Sequence, residues 1–177
     1  RKNIAILGCT GSVGEQAIDV AEKMNMSVVE LNHYMETHPE IDHEIDAGIA
    51  ALSDDERFLI IDSRMAWHFA ENSFKVYLYV PIEVSVKRIL GDGTRGNVEE
   101  YADAADAEAK ILARMQSESL RYKEFYGVDN HDLNNYDLIL CTSNISPEEA
   151  ADTIWHEFNL YIQDPEKYPR AKKLFMD

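Results

Sequence analysis

Asn3-Ile4-Ala5-Ile6-Leu7, followed at once by Gly8-Cys9-Thr10-Gly11-Ser12-Val13-Gly14, is the stretch from which the rest of the chain can be read. A short apolar run closed by glycines and followed by a helical pattern predicts a buried strand feeding a phosphate-cradling loop. Glycine allows positive φ and a close approach of the backbone, so successive N–H groups can point at an anion. Nowhere else does the sequence set so many loop glycines beside a strand.

Working outward, Glu15 to Asn25 carries Ala17, Ile18, Ala21 and Met24 on one helical face. Ser27-Val28-Val29-Glu30 is a capping box opening a second helix toward His38, and Thr37-His38-Pro39-Glu40 opens a third to about Leu52. Buried strands are expected at Arg57–Asp62, Phe74–Val80 and Tyr136–Cys141, with a helix from Pro81 to Leu90. Gly91-Asp92-Gly93-Thr94-Arg95-Gly96 reads as an exposed, mobile loop. Asn97-Val98-Glu99-Glu100 is placed to cap a long helix that stops at Gly127. Ser146-Pro147-Glu148-Glu149 opens the last helix, and the tail from Asp164 reads as a peripheral extension.

Strands alternating with helices predict one α/β domain over residues 1–177, a parallel sheet with helices on both faces. Ligands of such sheets bind beyond the carboxyl ends of the strands. The loop at 8–14, Asp62-Ser63-Arg64 and Cys141-Thr142-Ser143 are all expected there.

The net charge of −16, from 33 acidic and 17 basic residues in 177, argues against nucleic-acid or anionic-membrane partners. It leaves room for a small phosphate ligand held by local arginines. Cys9 and Cys141 show no disulfide or metal spacing and follow apolar runs, as small buried residues do. None of the six histidines stands in a zinc motif, so no metal-ligating set is assigned. With no bilayer-length apolar run and no visible signal peptide, a cytoplasmic location is the expectation.

Arg114, Glu118 and Arg121 stand at i, i+4 and i+7, on one helical face. Two guanidinium groups flanking a carboxylate suit a nucleotide, with forks for phosphate and an acceptor for an exocyclic amine. The same spacing also describes a solvated face stitched by intrahelical ion pairs. Asp62 and Arg64 fit a magnesium-linked acid and an anion-binding arginine at a strand end, or ordinary polar residues there. Tyr122, Phe125 and Tyr126 are expected to pack rather than to stack on a base.

Several segments together resemble the archaeal-type cytidylate kinases. Met26–Asn32 through His38-Pro39-Glu40-Ile41-Asp42 and Glu44-Ile45-Asp46 is similar to part of their monophosphate-binding region. Ile61-Asp62-Ser63-Arg64-Met65-Ala66-Trp67 resembles their strand-plus-arginine motif. Arg114, Ser117-Glu118, Arg121-Tyr122-Lys123, Tyr126-Gly127-Val128-Asp129 and Tyr136-Asp137-Leu138 resemble the lid helix and the next strand, and Ser146–Glu149 the start of the last helix.

The resemblance implies a P-loop nucleoside monophosphate kinase. Its three-layer parallel-sheet core would carry a helical monophosphate-binding region at about 15–52 and a mobile lid at about 91–103. The reaction implied is transfer of the ATP γ-phosphoryl group to CMP or dCMP with Mg²⁺. By the same resemblance Gly8, Gly11, Ser12, Gly14 and Thr142 would bind ATP. Asp62, Arg64, Arg114, Glu118 and Arg121 would bind CMP, with Glu118 facing the base. Arg88, Arg95 and Arg114 would serve the transferring phosphoryl group.

Three departures stand beside it. Gly14 is followed by Glu15-Gln16 and not by the expected lysine and hydroxyl residue. A helix, a strand and a loop of the family have no counterpart between the phosphate loop and Met26. Asp92 stands where a second lid arginine belongs, and Met115 replaces an acid. One hypothesis covers the first two: further residues, the lysine among them, belong between Gly14 and Glu15. Without them the chain would be a degenerate nucleotide-binding module. Gly8, Gly11 and Gly14 are also similar to the NADPH-binding start of the deoxyxylulose-phosphate reductoisomerases, a resemblance confined to Asn3–Val20.

Overall fold

The computed structural model describes residues 3–8, 39–52, 58–91 and 101–176. In chain order its elements are β1 (Asn3–Gly8), α1 (Pro39–Leu52), β2 (Ile60–Asp62), α2 (Ala66–Phe69), β3 (Ser73–Tyr79) and α3 (Ile82–Gly91). There follow α4 (Ala104–Tyr126), a 3₁₀ turn (Leu133–Asn135), β4 (Leu138–Cys141), α5 (Pro147–Gln163) and β5 (Lys172–Leu174). The helices expected over Glu15–Asn25 and Ser27–His38 lie outside the described residues.

The sheet is five-stranded in the order β2-β1-β3-β4-β5, and every pairing is parallel. The expected first strand is therefore an inner one, flanked by β2 and β3. Successive side chains of a strand point to opposite faces, and β3 shows it. Phe74 and Val76 join Leu138, Leu140 and the α5 residues Ala150, Ile154 and Phe158 in one core cluster. Tyr77 packs on the other side with Trp67 of α2, Tyr136 and Ile139. β4 is buried at every position, as a strand covered on both faces should be.

Local signals set the helix ends. Ser146 accepts from the Glu149 amide at 3.1 Å while the Glu149 carboxylate accepts from the Ser146 amide at 2.8 Å, the full reciprocal box. Ser146→Ala is expected to cost about 1 kcal/mol of stability, read as a lower urea midpoint with an unchanged m-value. Gly127 closes α4 with φ of 69°, a left-handed conformation that glycine adopts without a Cβ penalty.

Two expectations are corrected. The long helix starts at Ala104, later than Asn97–Glu100, a stretch outside the described residues. Its cap is Asp103, which accepts from the Asp106 amide at 2.9 Å, while Asp106 accepts from the Ala102 amide at 2.9 Å. Asp106, the acid that reaches back, is neither Glu nor Gln and bonds the amide one residue before the cap, so a search for the capping-box pattern passes over this start.

The tail is the second correction. Lys172–Leu174 adds a strand beside β4, with Leu138, Ile139 and Leu140 opposite Lys172, Lys173 and Leu174. Two prolines and mixed charge hide it, because its fixings are tertiary. The Lys172 ammonium reaches both oxygens of buried Glu157 at 2.8 and 2.7 Å, and the Tyr168 hydroxyl donates to Glu157 at 2.7 Å. The Tyr168 ring lies edge-on to Phe74 at 5.5 Å, so the tail closes part of the core.

Candidate active site

Parallel register brings the carboxyl ends of the strands to one edge. Ile6 stands opposite Asp62, Gly8 opposite Leu78, and Tyr79 opposite Cys141. From β1 the described chain returns first on one side, as β2, and then on the other, as β3. Such a reversal is where open α/β sheets leave the crevice that binds ligands, beyond the strand ends. Gly8, Asp62 and Thr142 stand at this edge as the sequence predicts. Gly11, Ser12, Gly14 and Arg95 lie outside the described residues.

Beyond β2 the chain turns sharply. The Ser63 hydroxyl accepts from the Met65 amide at 3.3 Å, the kind of local bond that competes with helix and helps place α2 after the turn. Arg64 sits at that bend, and its Nη1 meets the Glu118 Oε1 at 2.8 Å. The side chains are 31% and 16% exposed, so the pair is partly withdrawn from water. Glu118 is thus bonded to another element, a contact that helical spacing alone does not provide.

Arg114 and Arg121, at intermediate exposure, share that side of α4 by their spacing. The Arg121 guanidinium lies 5.5 Å from the ring centre of Tyr122, which is buried. Burial raises the Tyr122 hydroxyl above the usual phenol range and Glu118 adds to the shift, while Arg64 and Arg121 oppose it. The hydroxyl stays protonated at neutral pH, so the local charges are those of the arginines and the glutamate.

A second contact was not legible in the sequence. Arg88, in the last turn of α3, donates from Nη1 to the Thr142 hydroxyl at 3.1 Å and from Nη2 to the Thr142 carbonyl. The residue expected beside the transferring phosphoryl group therefore touches the residue expected near the nucleotide base of ATP. α3 and α4 are joined beneath by Val86, Ile89, Ala107 and Ile111.

Sequence reasoning also missed the junction around Tyr126. Its hydroxyl donates to Asp46 of α1, a carboxylate only 8% exposed. Its ring lies 5.3 Å from Phe69 and 6.1 Å from both His43 and His68. Burial, with Lys75 nearby, lowers the His68 pKa below its ordinary value. Of the three aromatics expected to pack, Tyr122 and Tyr126 do so, whereas Phe125 is 40% exposed. Tyr126 and Asp46 both fall in segments carrying the family resemblance, but eighty residues of separation leave no pattern that would pair them.

Among the described residues no group of three or more His, Cys, Asp or Glu side chains is arranged to hold a metal ion. None of their helices is long and apolar enough to cross a membrane.

Residues 10–144 match the cytidylate kinase-like family, a span that contains every described residue of the crevice except Gly8. The chain belongs to this family, in its archaeal type. It is 34% identical to a cytidylate kinase of Methanothermobacter thermautotrophicus over 139 residues, 78% of this chain and 82% of the relative. It is 35% identical to one of Sulfolobus acidocaldarius over 138 residues, 77% and 72% of the two chains. A cytidylate kinase of Saccharolobus islandicus is 29% identical over 157 residues, 88% of this chain and 79% of the relative. No solved structure matches the chain.

Proposed function

We propose that this member of the cytidylate kinase-like family transfers the γ-phosphoryl group of ATP to CMP or dCMP with Mg²⁺. The observation that carries the reading is the contact of Arg64, at the carboxyl end of β2, with Glu118 on α4. It gathers a guanidinium and a carboxylate in the crevice, with Arg114 and Arg121 on the same helix. Arg64, Arg114 and Arg121 hold the monophosphate, since guanidinium forks match phosphate oxygens. Glu118 accepts from the exocyclic amine of the base. In a chain of charge −16 such a local cluster is needed to draw in an anion.

Phosphoryl transfer leaves little covalent chemistry to the protein, and positioning and charge neutralisation dominate. Arg88, with Arg95 from the lid, neutralises charge on the transferring group. Thr142 lies by the adenine, and the backbone from Gly8 through Gly11, Ser12 and Gly14 cradles the ATP phosphates. Mg²⁺ is commonly held by substrate phosphates, water and one or two protein carboxylates, which fits a site without a protein cage. Asp62, exposed at the strand end, is the described carboxylate suited to it. When bound, the ion would neutralise phosphate charge. On this reading the sheet is the middle of three layers, 15–52 is the monophosphate-binding region and 91–103 the lid.

Glu15-Gln16 after Gly14 favours one other reading, a module that binds the monophosphate without turnover. A coupled assay with CMP, ATP and Mg²⁺, run beside calorimetric titration of CMP and of NADPH, separates the outcomes. CDP formation is the expected result. CMP binding without CDP supports the module, and NADPH binding without CMP binding supports an oxidoreductase.

A further inference from the structure

Asp46 is a buried carboxylate to which nothing above assigns work. A buried acid costs stability unless its oxygens are hydrogen-bonded, and the Tyr126 hydroxyl supplies such a bond from another helix. The place of this contact matters. One helical turn from Asp46, Ile49 is 1% exposed and packs on Ile61, Ala66 and Ala70. Ile61 belongs to β2, Ala66 to α2 and Ala70 to the end of α2, the two elements on either side of Arg64. Through neighbouring residues of one face, helix α1 is therefore tied both to the frame of Arg64 and to the helix of Arg114, Glu118 and Arg121.

Tyr126 stands at the meeting point of all three parts. Its ring contacts Phe69 and His68 of α2 and His43 of α1, while its hydroxyl alone reaches Asp46. Removing the hydroxyl would release the polar tie to α1 and leave the ring contacts with α2 in place. A directional bond to a buried group constrains register more narrowly than apolar contact does.

We propose that the Tyr126–Asp46 hydrogen bond is a positioning pair for the monophosphate nucleotide. It ties α4 to the face of α1 that packs on the frame of Arg64, and so helps fix how Arg64 and Glu118 meet. The inference rests on the cytidylate kinase reading. The ATP side, with Arg88 and Thr142 on α3 and after β4, is reached by other contacts and is independent of the pair.

The test uses the full chain, with steady-state kinetics and calorimetric titration of CMP and ATP separately. Tyr126→Phe is expected to raise the CMP KM and Kd about tenfold, the scale of one lost hydrogen bond to a charged group. The ATP KM and kcat should stay within about twofold, since that effect is confined to one substrate. Asp46→Asn keeps an acceptor oxygen and should retain most of the affinity, whereas Asp46→Ala should lose at least as much CMP affinity as Tyr126→Phe. The double variant Tyr126→Phe/Asp46→Ala should lose clearly less than the sum of the two single losses. If Tyr126→Phe does not fold, the contrast between Asp46→Asn and Asp46→Ala decides. A lower Tm with unchanged CMP affinity, or equal losses for CMP and ATP, overturns the positioning role. Wild-type protein that does not bind CMP overturns the kinase reading, and the inference with it.

Discussion

Replacing Arg64 by alanine is expected to weaken CMP binding roughly 100-fold, about 2.7 kcal/mol, while ATP affinity changes little. Two losses combine. The monophosphate loses a guanidinium fork, and Glu118, with its side chain only 16% exposed, loses the cation 2.8 Å away. A carboxylate with less positive charge beside it then faces an anionic ligand across the crevice. Arg64→Lys should fall between, near tenfold, because an ammonium restores the charge without the planar fork. Calorimetric titration of CMP and ATP against the three proteins checks the prediction, with circular dichroism showing the fold unchanged. Equal CMP affinity for Arg64→Ala and the parent would remove Arg64 from the site.

The largest expected effect on stability comes from the tail. Lys172→Met should lower the unfolding free energy at neutral pH by about 3 kcal/mol, toward the low end for breaking a buried pair, because Lys172 is itself partly exposed. For a chain of this size that corresponds to a fall in Tm of about 6–12 °C. Glu157 is 4% exposed and would keep only the Tyr168 hydroxyl.

The effect has a pH signature. Burial pushes the Glu157 pKa up, but the bonds from Lys172 and Tyr168 and the nearby positive charges outweigh it, and the folded value lies below the ordinary one of 4.5. A carboxyl group with a depressed folded pKa contributes stability that is present above its unfolded pKa and lost as pH falls through its folded value. In Lys172→Met the main cause of the depression is lost. The gap between the two proteins should be full at pH 7 and narrow as pH falls below about 4.5. Urea titrations at several pH values measure it, and a gap independent of pH would show that the lysine acts only through its aliphatic stem.

How far the chain can be read without coordinates depends on the distance between cause and effect. Helix ends were legible where the cause is local. Ser146 and Glu149 satisfy each other's backbone amides three residues apart, and Gly127 ends α4 because the turn needs a left-handed residue. The strand after Asn3 and the strands near Asp62, Tyr79 and Cys141 follow from apolar runs in the local sequence, and the stripe of Arg114, Glu118 and Arg121 from helical spacing. Asp103 was missed because Asp106 stands where the box pattern has Glu or Gln, a failure of pattern and not of physics.

Other features had no local cause to read. Nothing near Glu118 says that its partner is Arg64, nothing near Asp46 points to Tyr126, and nothing near Thr142 points to Arg88. Each pair joins elements brought together only when the sheet orders itself β2-β1-β3-β4-β5. Lys172 is the same case, since a three-residue strand shows no period and is held by a glutamate buried on another element. By itself the sequence determined the α/β class, the helix signals with local caps, the residue types of the candidate site and the family likeness. Tertiary structure alone decided which of those residues meet, because a contact between distant residues depends on how the whole chain buries its apolar faces.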